Sequence, residues 1–356
     1  MLKTVEYSEL LSENKDHILI DVRTSKEYEE ATIPGAVNIP LFTDEDREKI
    51  GYVYVNESIE KAKRMGIEAV SARLPFIYDE VLKNYKKRGK LVFFCARGGM
   101  RSSSISSLLN SLGINSYKIR GGYKAYRDYI NESLPKLQEH VTYIVIHGKT
   151  GVGKTQILKG LKNSGYDVID LECAANHRGS LLGSVGLGKQ RSQKLFESLI
   201  HEELSHRKSN YVFIEGESQR IGNIIIPNFM FNKMREGIHL YLDADIDFRA
   251  RLLIEEYTAN DNAKEQILDC LELMKRHISD ENIKRYKNLV EEEAFKEVCK
   301  ELMVKYYDPM YQNSMKKYKY EKSFNIHDIK EGCFFIEQWF EDYKASLKDC
   351  KGNLED

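Results

Sequence analysis

No stretch of the chain approaches the roughly 20 consecutive apolar residues that cross a bilayer. Its opening, MLKTVEYSEL, carries neither an apolar core nor a small-residue cleavage site, so no signal peptide is expected. The expectation is a cytoplasmic protein with no membrane partner. None of the six cysteines, Cys95, Cys173, Cys270, Cys299, Cys333 and Cys350, forms a C-x-x-C pair, and their spacing is irregular. That pattern argues against a zinc site and against a disulfide framework, and no metal ligands are assigned. No charge of one sign dominates: 54 Lys and Arg stand against 55 Asp and Glu, a formal net charge of −1. Nothing global therefore marks a nucleic-acid binder, although a local patch is enough to hold phosphates. Two basic runs, Lys83 to Lys90 and Met315 to Lys322, are candidates around Lys86 and Lys316. Each also reads as a solvated helix face or loop. There is no internal repeat and no low-complexity segment.

What is present is an alternating pattern. The 356 residues suit two domains, and 42% hydrophobic with 31% charged residues suits real cores. HILIDVR (His17 to Arg23) and LVFF before Cys95 read as buried strands, each followed by turn or helix signals. Ile105, Leu108, Leu109 and Leu112 fall at i, i+3, i+4 and i+7, one helix face. The polar stretch 131–140, NESLPKLQEH, reads as a linker. Beyond it YIVIHG, DVIDLE (Asp167 to Glu172), YVFIEGES and IHLYLDAD read as strands, KTQILKGLKN as a helix, and Phe248 to Tyr307 as mostly helical. The expectation is α/β in both halves: residues 1–130, a linker 131–140, and residues 141–356 with extra helices. Strands alternating with helices imply parallel sheets covered on both faces.

Two stretches carry chemistry. Cys95 ends an apolar strand and is followed by Ala-Arg-Gly-Gly-Met-Arg-Ser and a helix start. Helix N-terminal N–H groups favour negative charge there. Gly98 and Gly99 let the backbone curl into an anion nest, and Arg97 and Arg101 add positive charge. Together they favour an anionic, nucleophilic sulfur that attacks an electrophilic sulfur, selenium or phosphorus centre. The second stretch, Gly148-Lys149-Thr150-Gly151-Val152-Gly153-Lys154-Thr155, fits G-x-x-x-x-G-K-[ST] between a strand and a helix. Gly148, Gly151 and Gly153 shape a cradle for a polyphosphate, Lys154 neutralises its outer charges, and Thr155 is placed for Mg²⁺, whose involvement is left open. Glu215 and Glu217 read either as metal-site acids or as exposed carboxylates at a strand end. Arg249 and Arg251 read either as phosphate ligands or as a solvated face. Asp170, Glu172, Asn176, His177, Arg178 and Gly179 in one loop, and Glu215, Glu217, Ser218 and Arg220 in another, are candidate recognition residues.

Asp21-Val22-Arg23, Glu27-Tyr28, Ile33-Pro34-Gly35-Ala36-Val37-Asn38-Ile39-Pro40 and Gly121-Gly122-Tyr123 resemble the rhodanese family over about residues 4 to 130. The resemblance implies a persulfide or perselenide on Cys95. The loop departs from the usual C-x-x-G-x-R by one residue, which predicts a larger pocket. C-x5-R also fits tyrosine-type phosphatases, but Phe94 stands where most of those have His. The fusion as a whole resembles the tRNA 2-selenouridine synthases: a rhodanese domain on a P-loop NTPase-like domain with Asp-Leu-Glu…Asn-His-Arg-Gly-Ser, Glu-x-Glu-Ser-x-x-Ile-Gly and Tyr307-Asp308-Pro309-Met310-Tyr311. That resemblance implies exchange of the sulfur of wobble 2-thiouridine in tRNA for selenium. Geranyl diphosphate and selenophosphate are the implied co-substrates, with no tightly bound cofactor, and a selenophosphate-supplying enzyme is an admissible partner. Oligomeric state is left open. Two alternatives remain: an ATP-dependent sulfurtransferase–kinase fusion acting on a small molecule, and a regulatory binding module without chemistry at Cys95.

Overall fold

The structure is a computed structural model that describes residues 2–12, 17–88, 90–180, 183–258, 262–310 and 316–352. Tyr311, Met315 and the side chain of Lys86 lie outside the described residues. The chain divides into two compact units, residues 1–136 with 194–202, and residues 137–193 with 203–356.

The first unit runs β1 (Thr4–Val5), α1 (Tyr7–Ser12), β2 (His17–Asp21), α2 (Ser25–Glu30), β3 (Val37–Asn38), α3 (Asp44–Asn56), α4 (Ile59–Arg88), β4 (Lys90–Phe94), α5 (Met100–Ser111), β5 (Ser116–Ile119) and α6 (Gly122–Leu137). Its strands pair in parallel in the order β1-β5-β4-β2-β3. The period-two geometry of a strand sends Leu91 and Phe93 to one face of central β4 and Val92 and Phe94 to the other. Both faces are apolar cores, so the strand is buried on both sides, as parallel sheets require. The helix read from Ile105, Leu108, Leu109 and Leu112 forms, but its buried stripe is Ser102, Ile105, Ser106 and Leu109. Leu108 and Leu112 are exposed. The stripe keeps the same spacing but is shifted round the helix, because two serines pack inward beside Cys95 and Ser116.

The stretch 131–140 is not a linker along its length, because α6 continues to Leu137. Ile130 and Leu134 are buried and hold it. Pro135 falls in the last turn, where it removes one N–H from the helical ladder, and the helix ends two residues later.

The rest of the chain runs β6 (Thr142–Gly148), α7 (Lys154–Asn163), β7 (Val168–Ile169), α8 (Leu171–Ala175), α9 (Gln193–Ser205), whose residues 194–202 belong to the first unit, β8 (Tyr211–Glu215), a short antiparallel pair β9 (Arg220–Ile221) and β10 (Ile224–Ile225), α10 (Asn228–Arg235), β11 (Ile238–Asp243), α11 (Ile246–Tyr257), α12 (Ala263–Leu273), α13 (Asp280–Glu291), α14 (Phe295–Leu302), β12 (Lys322–Asn325) and α15 (Ile329–Gly352). A parallel sheet forms in the order β12-β11-β6-β8-β7. Ile144, Ile146, Leu240 and Leu242 pack against Ile157, Leu158 and Leu161 of α7 and Ile336 and Phe340 of α15. The run DVIDLE is a strand only at Val168 and Ile169. The Asp170 carboxylate accepts from Cys173 N at 2.7 Å and caps α8, which starts at Leu171. An Asp so placed ends a strand and opens a helix. Helices α12 to α14 form a core of their own around Leu271, Met274, Tyr286 and Val290. Among the described residues no helix is long and apolar enough to cross a membrane.

Candidate functional site

In each unit the chemistry-bearing residues gather beyond the carboxyl ends of the parallel strands, where open α/β sheets place ligands. Cys95 follows β4 and is buried, with its Sγ 3.2 Å from Ser102 Oγ. The loop is braced by the β5–α6 turn: Tyr123 N donates to Cys95 O and Lys124 N to Ala96 O, both at 2.9 Å. Gly98 has φ +59, and a Cβ there would stand 2.8 Å from Ile119 O and 2.9 Å from the nitrogens of Gly121 and Gly122. Only glycine fits. Gly99, the residue before α5, has φ −86 and open space around it, so its lack of a side chain is not forced by the backbone.

Of the two loop arginines, Arg97 is exposed and makes no ion pair among the described residues. Arg101 instead donates to Glu27 Oε2 at 2.8 Å. Burial works to raise the Glu27 carboxyl, but the Arg101 hydrogen bond and charge outweigh it and hold it below the ordinary glutamate value. Asp21 and Arg23 are buried as an ion pair at 2.6 Å, with the Arg23 guanidinium 4.1 Å from the Tyr123 ring. Lys118, which the sequence did not single out, donates to Gly98 O and Ser103 Oγ, each at 2.7 Å.

In the second unit Gly148 closes β6, and a Cβ there would lie 2.8 Å from Leu242 O. Gly151 and Gly153 have φ +79 and +88. Lys154 folds back, its Nζ 3.3 Å from Gly148 O. Thr155 Oγ1 donates to Glu172 Oε2 at 3.1 Å, and Glu172 N donates to Glu215 Oε1 at 2.6 Å. Four carboxyl groups converge here. Burial and the neighbouring Glu217 push Glu172 up to about 8, opposed by Lys154 and Thr155. Burial, Asp170 and Glu172 raise Glu215 well above its ordinary value, and Glu215 Oε2 has no hydrogen-bond partner among the described residues. Asp170 and Glu217 are raised by burial as well. The cluster therefore retains protons near neutrality, so an anion beside Lys154 does not meet four negative charges. Thr155 and Glu172 are the side chains that would face a divalent cation; no group of three or more ligand-type residues suited to a metal occurs among the described residues.

The recognition loop is mostly scaffold. Asn176, in the left-handed region at φ 52, donates to Leu187 O and Lys189 O. His177 Nδ1 accepts from Gly179 N at 3.1 Å. Arg178 donates to Glu256 Oε1 at 2.6 Å and lies 4.7 Å from the Tyr257 ring. Ser218 and Arg220 are exposed and bond within their own turn. Arg251 lies over Phe248. Arg249 is not on a solvated face: it is 3% exposed, pairs with Asp308 through both terminal nitrogens, and donates from Nε to Thr150 O at 2.9 Å. Asp308 belongs to the Tyr-Asp-Pro-Met stretch, whose role was not readable without that partner. His147, just before the P-loop, shares a 2.8 Å hydrogen bond with His239, and the Tyr318 ring of the second basic run packs at a tilt against both.

The P-loop lines a polar cavity with Glu172, Arg178, Ser180 and Glu217. Thr150, Ser180, Leu253 and Tyr257 also line a second cavity, otherwise walled by apolar side chains of α11 to α14, among them Ile254, Val290, Phe295, Val298 and Leu302. The family model described as the tRNA 2-selenouridine synthase AAA domain matches residues 141–342, and that of the rhodanese-like domain matches residues 4–129. The chain belongs to the tRNA 2-selenouridine synthase family. It is similar to the tRNA 2-selenouridine synthase of Nitrosomonas europaea, 33% identical over 68% of this chain and 64% of the relative. That of Nitrosomonas eutropha is 33% identical over 68% and 63%, and that of Sulfurovum sp. 30% identical over 84% and 89%. The chain thus spans a little under two thirds of the length of the two Nitrosomonas relatives it matches.

Proposed function

We propose that this protein converts wobble 2-thiouridine in tRNA to 2-selenouridine in two stages, by prenylating the sulfur and then exchanging it for selenium. One observation supports this reading: the polar P-loop cavity and an apolar recess share the lining residues Thr150, Ser180, Leu253 and Tyr257. A diphosphate with a hydrocarbon tail, such as geranyl diphosphate, matches that pairing of polar and apolar walls.

In the first stage the thiouridine sulfur attacks the carbon bearing the diphosphate. The C–S bond forms, the C–O bond breaks, diphosphate departs, and the nucleobase loses its N3 proton. Lys154 and the loop N–H groups stabilise the departing diphosphate. In the second stage the selenium of selenophosphate adds to C2 of the base, and the sulfur leaves as the prenyl thiol, taking the selenol proton. Water then cleaves the Se–P bond, releasing phosphate and restoring the N3 proton. The Cys95 loop, with its N–H groups and Arg97, holds the selenophosphate anion, and Cys95 directs the selenium.

The test is mass spectrometry of nucleosides from 2-thiouridine tRNA incubated with protein, geranyl diphosphate and selenophosphate, each omitted in turn. Geranylated thiouridine forms without selenophosphate, and selenouridine appears when it is added. Lys154→Ala blocks the first product and Cys95→Ala only the second. Unchanged tRNA with consumption of ATP or thiosulfate would replace this reading by the sulfurtransferase–kinase one.

A further inference from the structure

The first unit contains a second apolar cavity that the Cys95 chemistry above does not use. It lies between α3, α4 and α5, over Phe42, and is walled by Tyr54, Gly66, Ile67 and Met100, with Lys63 and Arg101 also lining it. Its walls are open to solvent: Ile67 is 67% exposed, Met100 55% and Tyr54 45%. Apolar side chains left open to solvent around one groove offer a bed for an apolar ligand.

Three features argue for its occupant. The first is position. Met100 and Arg101 form the first turn of α5, directly after the Cys95 loop. Residues 100, 103, 104 and 107 of that helix face the groove, while Ser102, Ile105, Ser106 and Leu109 face the core beside Cys95. The groove and the loop are adjacent sides of one helix. The second is Gly66. Glycine inside a helix is disfavoured relative to alanine, yet here it sits in a 30-residue helix with ordinary backbone geometry. A Cβ would meet only the Phe42 ring at 3.5 Å, an ordinary contact. The backbone does not require glycine here, and a side chain longer than that of alanine would take up space in the groove that Gly66 lines. The third is charge. Lys63 is exposed without an ion pair among the described residues, and Arg101, which lines the same groove, is already paired with Glu27. An apolar bed with the Lys63 cation at its edge suits a hydrocarbon chain attached to a polyanion.

We propose that this groove holds the prenyl chain of the S-prenylated nucleoside while selenium replaces sulfur at the Cys95 loop. This rests on the two-stage reading above. As the C2–Se bond forms and the C2–S bond breaks, the groove retains the apolar part of the departing prenyl thiol and so orients C2 toward the loop.

The experiment uses the full chain, selenophosphate, and tRNA carrying either S-geranyl- or S-methyl-2-thiouridine, and measures the rate of selenouridine formation. Wild-type protein converts the geranyl substrate faster at subsaturating tRNA. Gly66→Leu, which fills the groove above Phe42, lowers the geranyl rate by about tenfold or more, the worth of burying about two methylene groups, and leaves the methyl rate within about twofold. Ile67→Ser, on an exposed wall, moves the geranyl rate in the same direction by less and guards against a folding defect, which far-UV circular dichroism also reports. Unchanged geranyl rates in both variants, equal losses on both substrates, or a change in oligomeric state with both rates kept overturn the proposal. If the wild type makes no selenouridine from either tRNA, the two-stage reading fails, and the groove proposal with it.

Discussion

Asp308→Ala removes one partner of a pair whose other member, Arg249, is almost fully buried at 3% exposure. The two Asp308 hydrogen bonds, at 2.6 and 3.0 Å, are lost, and the guanidinium is left with Thr150 O as its remaining partner among the bonds described above. Removing one member of a buried ion pair costs about 3–5 kcal/mol, because the other charge stays desolvated. Asp308 is 15% exposed, so water enters the gap, and about 2–3 kcal/mol is the expected loss. For a unit of this size that is a fall in Tm of about 5–10 °C, read by calorimetry. The double variant Arg249→Met with Asp308→Ala removes the orphaned charge and is more stable than Asp308→Ala alone, a coupling that a double-mutant cycle isolates. Arg249→Met also frees Thr150 O at the P-loop, so it raises KM for the diphosphate substrate. A fall in Tm below about 2 °C, or a double variant no more stable than the single one, refutes the assignment of a buried, pair-dependent guanidinium.

Three further outcomes are expected. Glu172 is raised from 4.5 to about 8, so the folded chain holds a proton that the unfolded chain has released. Its stabilising effect is complete below 4.5 and is lost as pH rises through about 8; Glu172→Gln flattens the dependence of Tm on pH over that window. Gly98→Ala forces a Cβ into backbone atoms at φ +59 and costs about 1–3 kcal/mol, whereas Gly99→Ala, with open space around it, costs far less; urea denaturation separates the two. Ile254→Asp puts a charge into the apolar recess beside the P-loop. It raises KM for geranyl diphosphate by roughly 10–100-fold and leaves inhibition by inorganic diphosphate unchanged, and equal effects on both ligands would argue against a tail pocket.

Two kinds of feature were legible before any tertiary structure. The first is chemistry written in consecutive residues. The P-loop needs a strand end, glycines with positive φ and a helix start within eight positions, all of which the local chain specifies. The Cys95 loop has the same strand–loop–helix form. The second is sheet class, because apolar runs buried on both faces and separated by helices have few solutions other than parallel sheets. Helix ends were less secure: the polar, Pro-containing 131–140 looked like a linker, yet Ile130 and Leu134 bury themselves and carry α6 through to Leu137.

What tertiary structure decided is which charges are free to meet a ligand and where apolar space is left open. Arg97 and Arg101 are equivalent as letters, yet Arg101 is paired with Glu27, 74 residues away, and Arg97 is not. Arg249 read as a surface or phosphate-binding residue until Asp308 and Thr150, 59 and 99 positions distant, enclosed it. The recess beside the P-loop is assembled from four helices, and the groove beside Cys95 from three. A local motif constrains its own backbone and therefore shows in the sequence. A charge's partner and a cavity's walls depend on long-range packing, which neighbouring residues do not specify.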